Sequence, residues 1–97
     1  MGAFRIIQAK ITDPEQFMEY AKLAPALIAK HGGRYRCMRG TVEQLEGKPD
    51  NRKIVVSEWP SMDAAQEFWS SPAYEELKAI RAGAAEINVY LCEITSD

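Results

Sequence analysis

Lys53-Ile54-Val55-Val56-Ser57-Glu58-Trp59-Pro60-Ser61 is the stretch that decides how this chain folds. Its β-branched and aromatic residues make a strand, and Pro60, which has no amide hydrogen to give to a ladder, stops it. Both parities of the strand are partly apolar, Ile54 and Val56 on one and Val55 and Trp59 on the other. A strand with one wet face would alternate with polar residues, so this one is expected to be covered on both sides.

Upstream, Gly47-Lys48-Pro49-Asp50-Asn51 is a cluster of turn formers, and the chain before it, from Arg34 to about Glu46, has an extended pattern. The two runs predict a hairpin with a loop. Downstream, Ser61 is placed to cap a short helix with Ala64, Ala65, Phe68 and Trp69 on its apolar face. Ser71-Pro72 restarts a helix with Tyr74, Leu77, Ile80, Arg81 and Ala84 on one stripe, and Ile87, Val89 and Leu91 alternate into a last strand that reaches Ile94. At the amino end Phe4 to Ile11 is β-rich. Asp13-Pro14 then supplies a cap and a first-turn proline for a helix whose Phe17, Tyr20, Ala21, Ala24, Leu27 and Ile28 recur at helical spacing. Pro25 predicts a kink in that helix, and Gly32-Gly33 ends it.

The order βαββαβ is that of an α+β, ferredoxin-like domain over residues 1–97, an antiparallel sheet of four strands with two helices on one face. The other face needs a cover, and a second copy of the sheet supplies one, which makes a homodimer through sheet faces. In the expected strand order, four-one-three-two, Cys37 and Cys92 lie on opposite edges, beyond the roughly 7 Å a disulfide spans.

Composition narrows the classes of function. The 97 residues carry 12 Lys+Arg against 14 Asp+Glu, a net charge of −2, with 46% apolar residues. Without a basic excess there is no electrostatic footprint for nucleic acid or for an anionic membrane surface. No apolar run approaches the roughly 20 residues of a membrane span, and the start of the sequence lacks a signal core, so the expected compartment is the cytoplasm. Two distant cysteines and one histidine form no metal-ligand spacing, and no phosphate-binding glycine loop opens a helix. Neither a metal nor a cofactor is expected. Ser61, Ser70 and Ser71 sit in capping contexts, with no histidine placed to activate them.

Gly32-Gly33-Arg34-Tyr35, Leu45-Glu46-Gly47, Val55 to Ser61, Ser71-Pro72-Ala73-Tyr74 and the later Arg81 together resemble the DUF1330 family, in this order and over nearly the whole chain. The resemblance implies a ferredoxin-like subunit of the dimeric α+β barrel kind, two sheets packed around a cavity. It implies no reaction. Met38 stands where the family's pattern has an arginine, and Ile94 where it tends to have glycine, so no role for an arginine at position 38 carries over.

The polar residues that stand out are Glu58, Arg81, Tyr74 and Arg34. Glu58 shares the parity of Ile54 and Val56, so its carboxylate is expected to face the intersheet cavity, either ready for acid or base work or paired with a cation such as Arg81. Tyr74 reads as a core-edge phenol with its hydroxyl hydrogen-bonded. His31 reads as a helix cap. Trp59, Phe68, Trp69 and Tyr74 pack helix two or line a pocket for a planar ligand, and the spacing of the two tryptophans argues against both pointing the same way.

Two readings of function follow. One is an uncharacterised dimeric α+β-barrel protein that binds a small apolar or aromatic molecule in the intersheet cavity. The other is a cofactor-independent enzyme, of isomerase or monooxygenase type, using Glu58 and Arg81. Haem chemistry is disfavoured because helix two offers no histidine for iron.

Overall fold

The computed structural model describes residues 1–95. Strand β1 (Ala3–Ile11) leads through Asp13 into helix α1 (Pro14–Lys30), followed by β2 (Arg34–Cys37), β3 (Lys53–Trp59), α2 (Met62–Ser70), α3 (Pro72–Arg81) and β4 (Ala85–Glu93). The strands form one antiparallel sheet in the order β2-β3-β1-β4, with the helices on one side. This is the ferredoxin-like arrangement, and its two edge strands carry Cys37 and Cys92, both free thiols.

Local chemistry explains the element boundaries. The Asp13 carboxylate accepts from Gln16 N at 3.2 Å, and the Ser61 hydroxyl accepts from Ala64 N at 3.1 Å, each satisfying a first-turn amide that the helix leaves orphaned. Helix α1 runs through Pro25 without a break and ends in a Schellman motif, with Gly33 N donating to Ile28 O at 2.9 Å and Gly32 N to Ala29 O at 3.1 Å. Gly32 has a φ of +88°, which a residue with a Cβ adopts only under strain. At Gly33 the reason for glycine is space, since a Cβ there would meet Ile28 and Trp59 side-chain atoms at 2.8 Å. Ser71 both ends α2 and starts α3. Its hydroxyl donates to Phe68 O at 2.8 Å and accepts from Tyr74 N at 3.2 Å, so α2 and α3 are one broken helix, its joint fixed by a single side chain.

The extended stretch expected to reach about Glu46 ends much earlier. Strand β2 stops at Cys37, after a register irregularity between Tyr35 and Cys37, and residues 38–52 form neither helix nor strand. Beyond Cys37 only the start of β3 remains to pair with, and Arg39, Gly40, Glu43 and Glu46 offer no apolar alternation to hold a further strand. The turn formers are exposed as expected. Gln44 organises them, donating to Glu46 O at 3.0 Å and Lys48 O at 2.6 Å and accepting from Asp50 N at 2.9 Å.

The register sorts the side chains into two faces. Toward the helices point the cross-strand rows Leu91-Arg5-Ser57-Tyr35 and Val89-Ile7-Val55, with Ala3 and Trp59 below them. Against this face pack Tyr20, Ala24 and Ile28 of α1, Ala65 and Phe68 of α2, and Tyr74 and Leu77 of α3. Away from the helices lie the rows Tyr90-Ile6-Val56 and Cys92-Phe4-Glu58-Arg34. Both parities of β3 are thus apolar for different reasons, one facing the helical core and one an open sheet face.

Candidate functional site

Arg5 is the one arginine among the buried residues, 1% exposed at the middle of the central strand β1. Its row neighbours on the helix face are Leu91 and Ser57, neither of them acidic. The guanidinium reaches up to α3, where its Nη2 donates to the Tyr74 hydroxyl at 2.5 Å. It also stacks near the faces of Phe68 and Tyr74, at 5.2 Å from each ring centre. Ser57 leaves this space free by being small and turning its hydroxyl to the Trp59 indole N–H at 2.9 Å.

Tyr74 is fully buried, and its hydroxyl is the hub of the cluster. The Tyr20 hydroxyl of α1 lies 2.8 Å away, one phenol donating to the other, and Arg81 Nη2 donates from 3.5 Å. Arg81 itself lies over the Tyr20 ring at 5.2 Å. Burial, with the Tyr74 phenol next in importance, pushes Tyr20 up to about 12 against the opposing pull of Arg5 and Arg81. It therefore holds its proton across the whole neutral range. Tyr35, at the β2 end of the row, is also raised by burial, with Arg5 pulling the other way.

Beside this cluster a cavity of about 630 Å³ opens between α2, α3 and the sheet. Ile87, Val89 and Leu91 of β4 form its apolar wall, Trp69 and Gln66 of α2 face them, and Arg5, Lys78 and Arg81 supply three cations. Lys78 is already engaged, 2.7 Å from Glu75 and 4.1 Å above the Trp69 ring. The two arginines have no carboxylate partner among the described residues, and the Nε of each is buried with no hydrogen-bond acceptor.

Of the four residues singled out in the sequence, Tyr74 and Arg81 come together here, while Glu58 and Arg34 do not. Glu58 occupies the parity expected of it, which is the open sheet face, and it is indeed ion-paired. Its partners, however, are Arg36 at 3.3 Å and Arg34 at 3.9 Å on the adjacent strand β2. Arg81 is out of its reach because Ser57 and Trp59, on either side of Glu58, turn inward toward the helices and Glu58 turns the other way. Trp69 borders the cavity whereas Trp59 is core, in accord with the expectation that they diverge. His31 caps α1 as expected, its Nδ1 3.1 Å from Leu27 O. Arg5 and Tyr20 were not singled out, although the helical spacing of Tyr20 placed it on the buried stripe. Among the described residues no group of three or more His, Cys, Asp or Glu side chains is placed to hold a metal ion. No helix among them is long and apolar enough to cross a membrane.

A four-stranded antiparallel sheet backed by helices on one face, with a cationic and aromatic cleft beneath the helices, defines a ferredoxin-like α+β domain. The chain belongs to the family described as domain of unknown function DUF1330, whose model matches residues 2–95. Similar solved structures include a protein of unknown function from Rhodopseudomonas palustris, with a TM-score of 0.81 at 15% identity over 99% of this chain and 84% of that one. SnoaB, a cofactor-independent oxygenase from Streptomyces nogalater, superposes with a TM-score of 0.69 at 15% identity, over 99% of this chain and 95% of its own. A dimeric ferredoxin-like protein of unknown function from Jannaschia sp. CCS1 gives 0.71 at 11% identity, over 97% and 100% of the two chains. At these identities the likeness is one of fold. No curated protein matches the sequence.

Proposed function

We propose that this chain is a small-molecule-binding subunit that takes an apolar or aromatic ligand into the cleft between α2, α3 and the sheet, and that it works as a homodimer through its open sheet face. The observation that carries the reading is the cleft itself. Its volume falls within the roughly 300–1,000 Å³ of small-molecule sites, and it sets a three-residue aliphatic wall and an indole against a few convergent polar groups. The ligand site is thereby moved from between two sheets to the helix side of one. The open face, with Phe4, Ile6, Ile54, Val56 and the 53% exposed Tyr90, is left as the contact to the partner. The dimeric Jannaschia protein supports such an assembly.

A second reading, favoured by the fold of the cofactor-independent oxygenase, makes the cleft catalytic. Arg81 and Arg5 would line it in place of Glu58, with the buried Tyr74 and Tyr20 phenols behind them. Two guanidiniums beside a protonated phenol suit a substrate that develops negative charge on oxygen.

The test is an NMR fragment screen on the isotope-labelled dimer. Binders are expected to shift the Trp69 indole and the Ile87, Val89 and Leu91 methyl signals. Fragments that move only Phe4, Ile6 and Val56, or a diverse screen with no hit in the cleft, would overturn the reading. Incubation of the hits with dioxygen, followed by mass spectrometry, separates binding from turnover.

A further inference from the structure

We infer that the ligand of this cleft is a small aromatic or branched aliphatic monocarboxylate, its carboxylate seated between Arg5 and Arg81. The inference rests on the proposal that the cleft is the ligand site and adds the charge and chemical class of what fills it.

Arg5 is 1% exposed and Arg81 is half-buried, and both donate toward a single phenol oxygen, so two like charges are held side by side, the first of them away from bulk water. Burying a guanidinium is costly unless an opposite charge or a full set of acceptors repays it. Here the repayment is incomplete. The rings of Phe68, Tyr74 and Tyr20 offset part of the charge by stacking, but they accept no in-plane N–H. The Tyr74 hydroxyl takes one N–H from each arginine, and the Nε of each is left with no acceptor while both residues border the cleft. Each guanidinium carries five N–H donors and both residues border the cleft, so the N–H groups not spent on Tyr74 can serve the four lone-pair sites of one carboxylate through charge-assisted hydrogen bonds.

The remainder of the cleft chooses among anions. Lys78 is neutralised by Glu75, which leaves two uncompensated cations. The wall of Ile87, Val89 and Leu91 with Trp69 demands a hydrocarbon body on the far side of the charge, with room for a ring.

The experiment titrates the labelled protein with matched pairs, benzoate against benzamide and 3-methylbutanoate against its primary amide, with phenyl phosphate as a third arm. The readouts are the arginine side-chain Nε–H resonances and the Trp69 indole signal. The expected result is that each acid binds at least tenfold more tightly than its amide, shifts the Nε–H signals of two arginines, and loses that advantage in Arg81→Met. The amides, which carry no charge, should lose several-fold less affinity than the acids in Arg81→Met. Amides that bind in the cleft as well as acids overturn the carboxylate inference and leave the pocket standing. Phenyl phosphate binding more tightly than benzoate also overturns it. If neither member of either pair moves the Trp69 signal, the inference fails for these two bodies and the class is wrong, whereas the pocket reading is judged on the wider screen.

Discussion

Removing one oxygen atom, in Tyr74→Phe, tests the buried cluster at its hub. The hydroxyl accepts from Arg5 at 2.5 Å and shares a proton with Tyr20 at 2.8 Å, in a place where Tyr74 is fully buried and Tyr20 is 6% exposed. Water has no ready access to replace either bond. A hydrogen bond to a charged group is worth about 1.5–3 kcal/mol, and a buried polar group left without a partner costs about 1–3 kcal/mol. The two losses overlap, because both end on the same oxygen. The expected destabilisation is therefore about 3 kcal/mol. With a urea dependence of roughly 1–3 kcal/mol per molar for a small protein, the unfolding midpoint should fall by about 1.5 M. Urea titrations followed by far-ultraviolet circular dichroism, at one protein concentration so that the proposed dimerisation contributes equally, measure it. Thr41→Ala, at an exposed position in the loop between β2 and β3, is the control and should lie within about 0.5 kcal/mol of the parent. Adding Tyr20→Phe to Tyr74→Phe should cost less than the sum of the single changes, since they share a bond. If Tyr74→Phe unfolds with the parent's midpoint, the hydroxyl is not the acceptor on which Arg5 depends, and the account of the cluster is wrong.

Tyr20 should make the fold sensitive to alkali. Its pKa rises from about 10 in the unfolded chain to about 12 in the fold, so its contribution is fully present below pH 10 and is lost as the pH climbs through 12. The loss is on the order of 2–3 kcal/mol, and urea midpoints at pH 9 and pH 11 should differ less in Tyr20→Phe than in the parent. Tyr35, raised by burial as well, leaves a smaller residual slope of the same sign. On the open face, Val56→Asp puts a carboxylate beside Ile6 in the middle of the proposed dimer contact. Sedimentation equilibrium at micromolar concentration should move from twice the chain mass toward a monomer, and an unchanged mass would place the interface elsewhere. Deleting Lys48 and Pro49 sacrifices only the exposed hydrogen bonds of Gln44, so thermal unfolding should shift by no more than about 1 kcal/mol, and failure to fold would mean that the loop is packed in the assembly.

The fold was legible because its signals are local and redundant. Asp13-Pro14, Ser61 and Ser71-Pro72 each state a helix start in a cap and a proline or acid, and the double apolar parity of Ile54 to Trp59 places β3 inside the sheet. The end of β2 was not legible, since it depends on how much of β3 is left to pair with once the register slips at Arg36. The site was half legible. Tyr74 and Arg81 share one helical face, two turns apart, and announce each other. Arg5 carries the opposite signal, for an arginine between Phe4 and Ile6 reads as the wet side of a strand, and only the third dimension supplies the rings and the phenol that make its burial tolerable. Glu58 misled for the complementary reason. Parity identified its face, but only the positions of the other strands reveal that Arg34 and Arg36, and not Arg81, are on it.

Arg5 and Arg81 are anchored very differently. The first stands on a strand laddered on both sides, by β3 and by β4, whereas the second closes the last turn of α3, just before a Gly83 turn with a φ of +80°. One donor thus belongs to the sheet and the other to the helical wall of the cleft. Changes of ligand length would be absorbed on the helical side, by Arg81 and Trp69, and changes of girth along Ile87, Val89 and Leu91, without disturbing the strand that sets the charge. A cleft divided in this way can be retuned one wall at a time, so re-engineering its selectivity should begin on β4 and α2 and leave β1 alone.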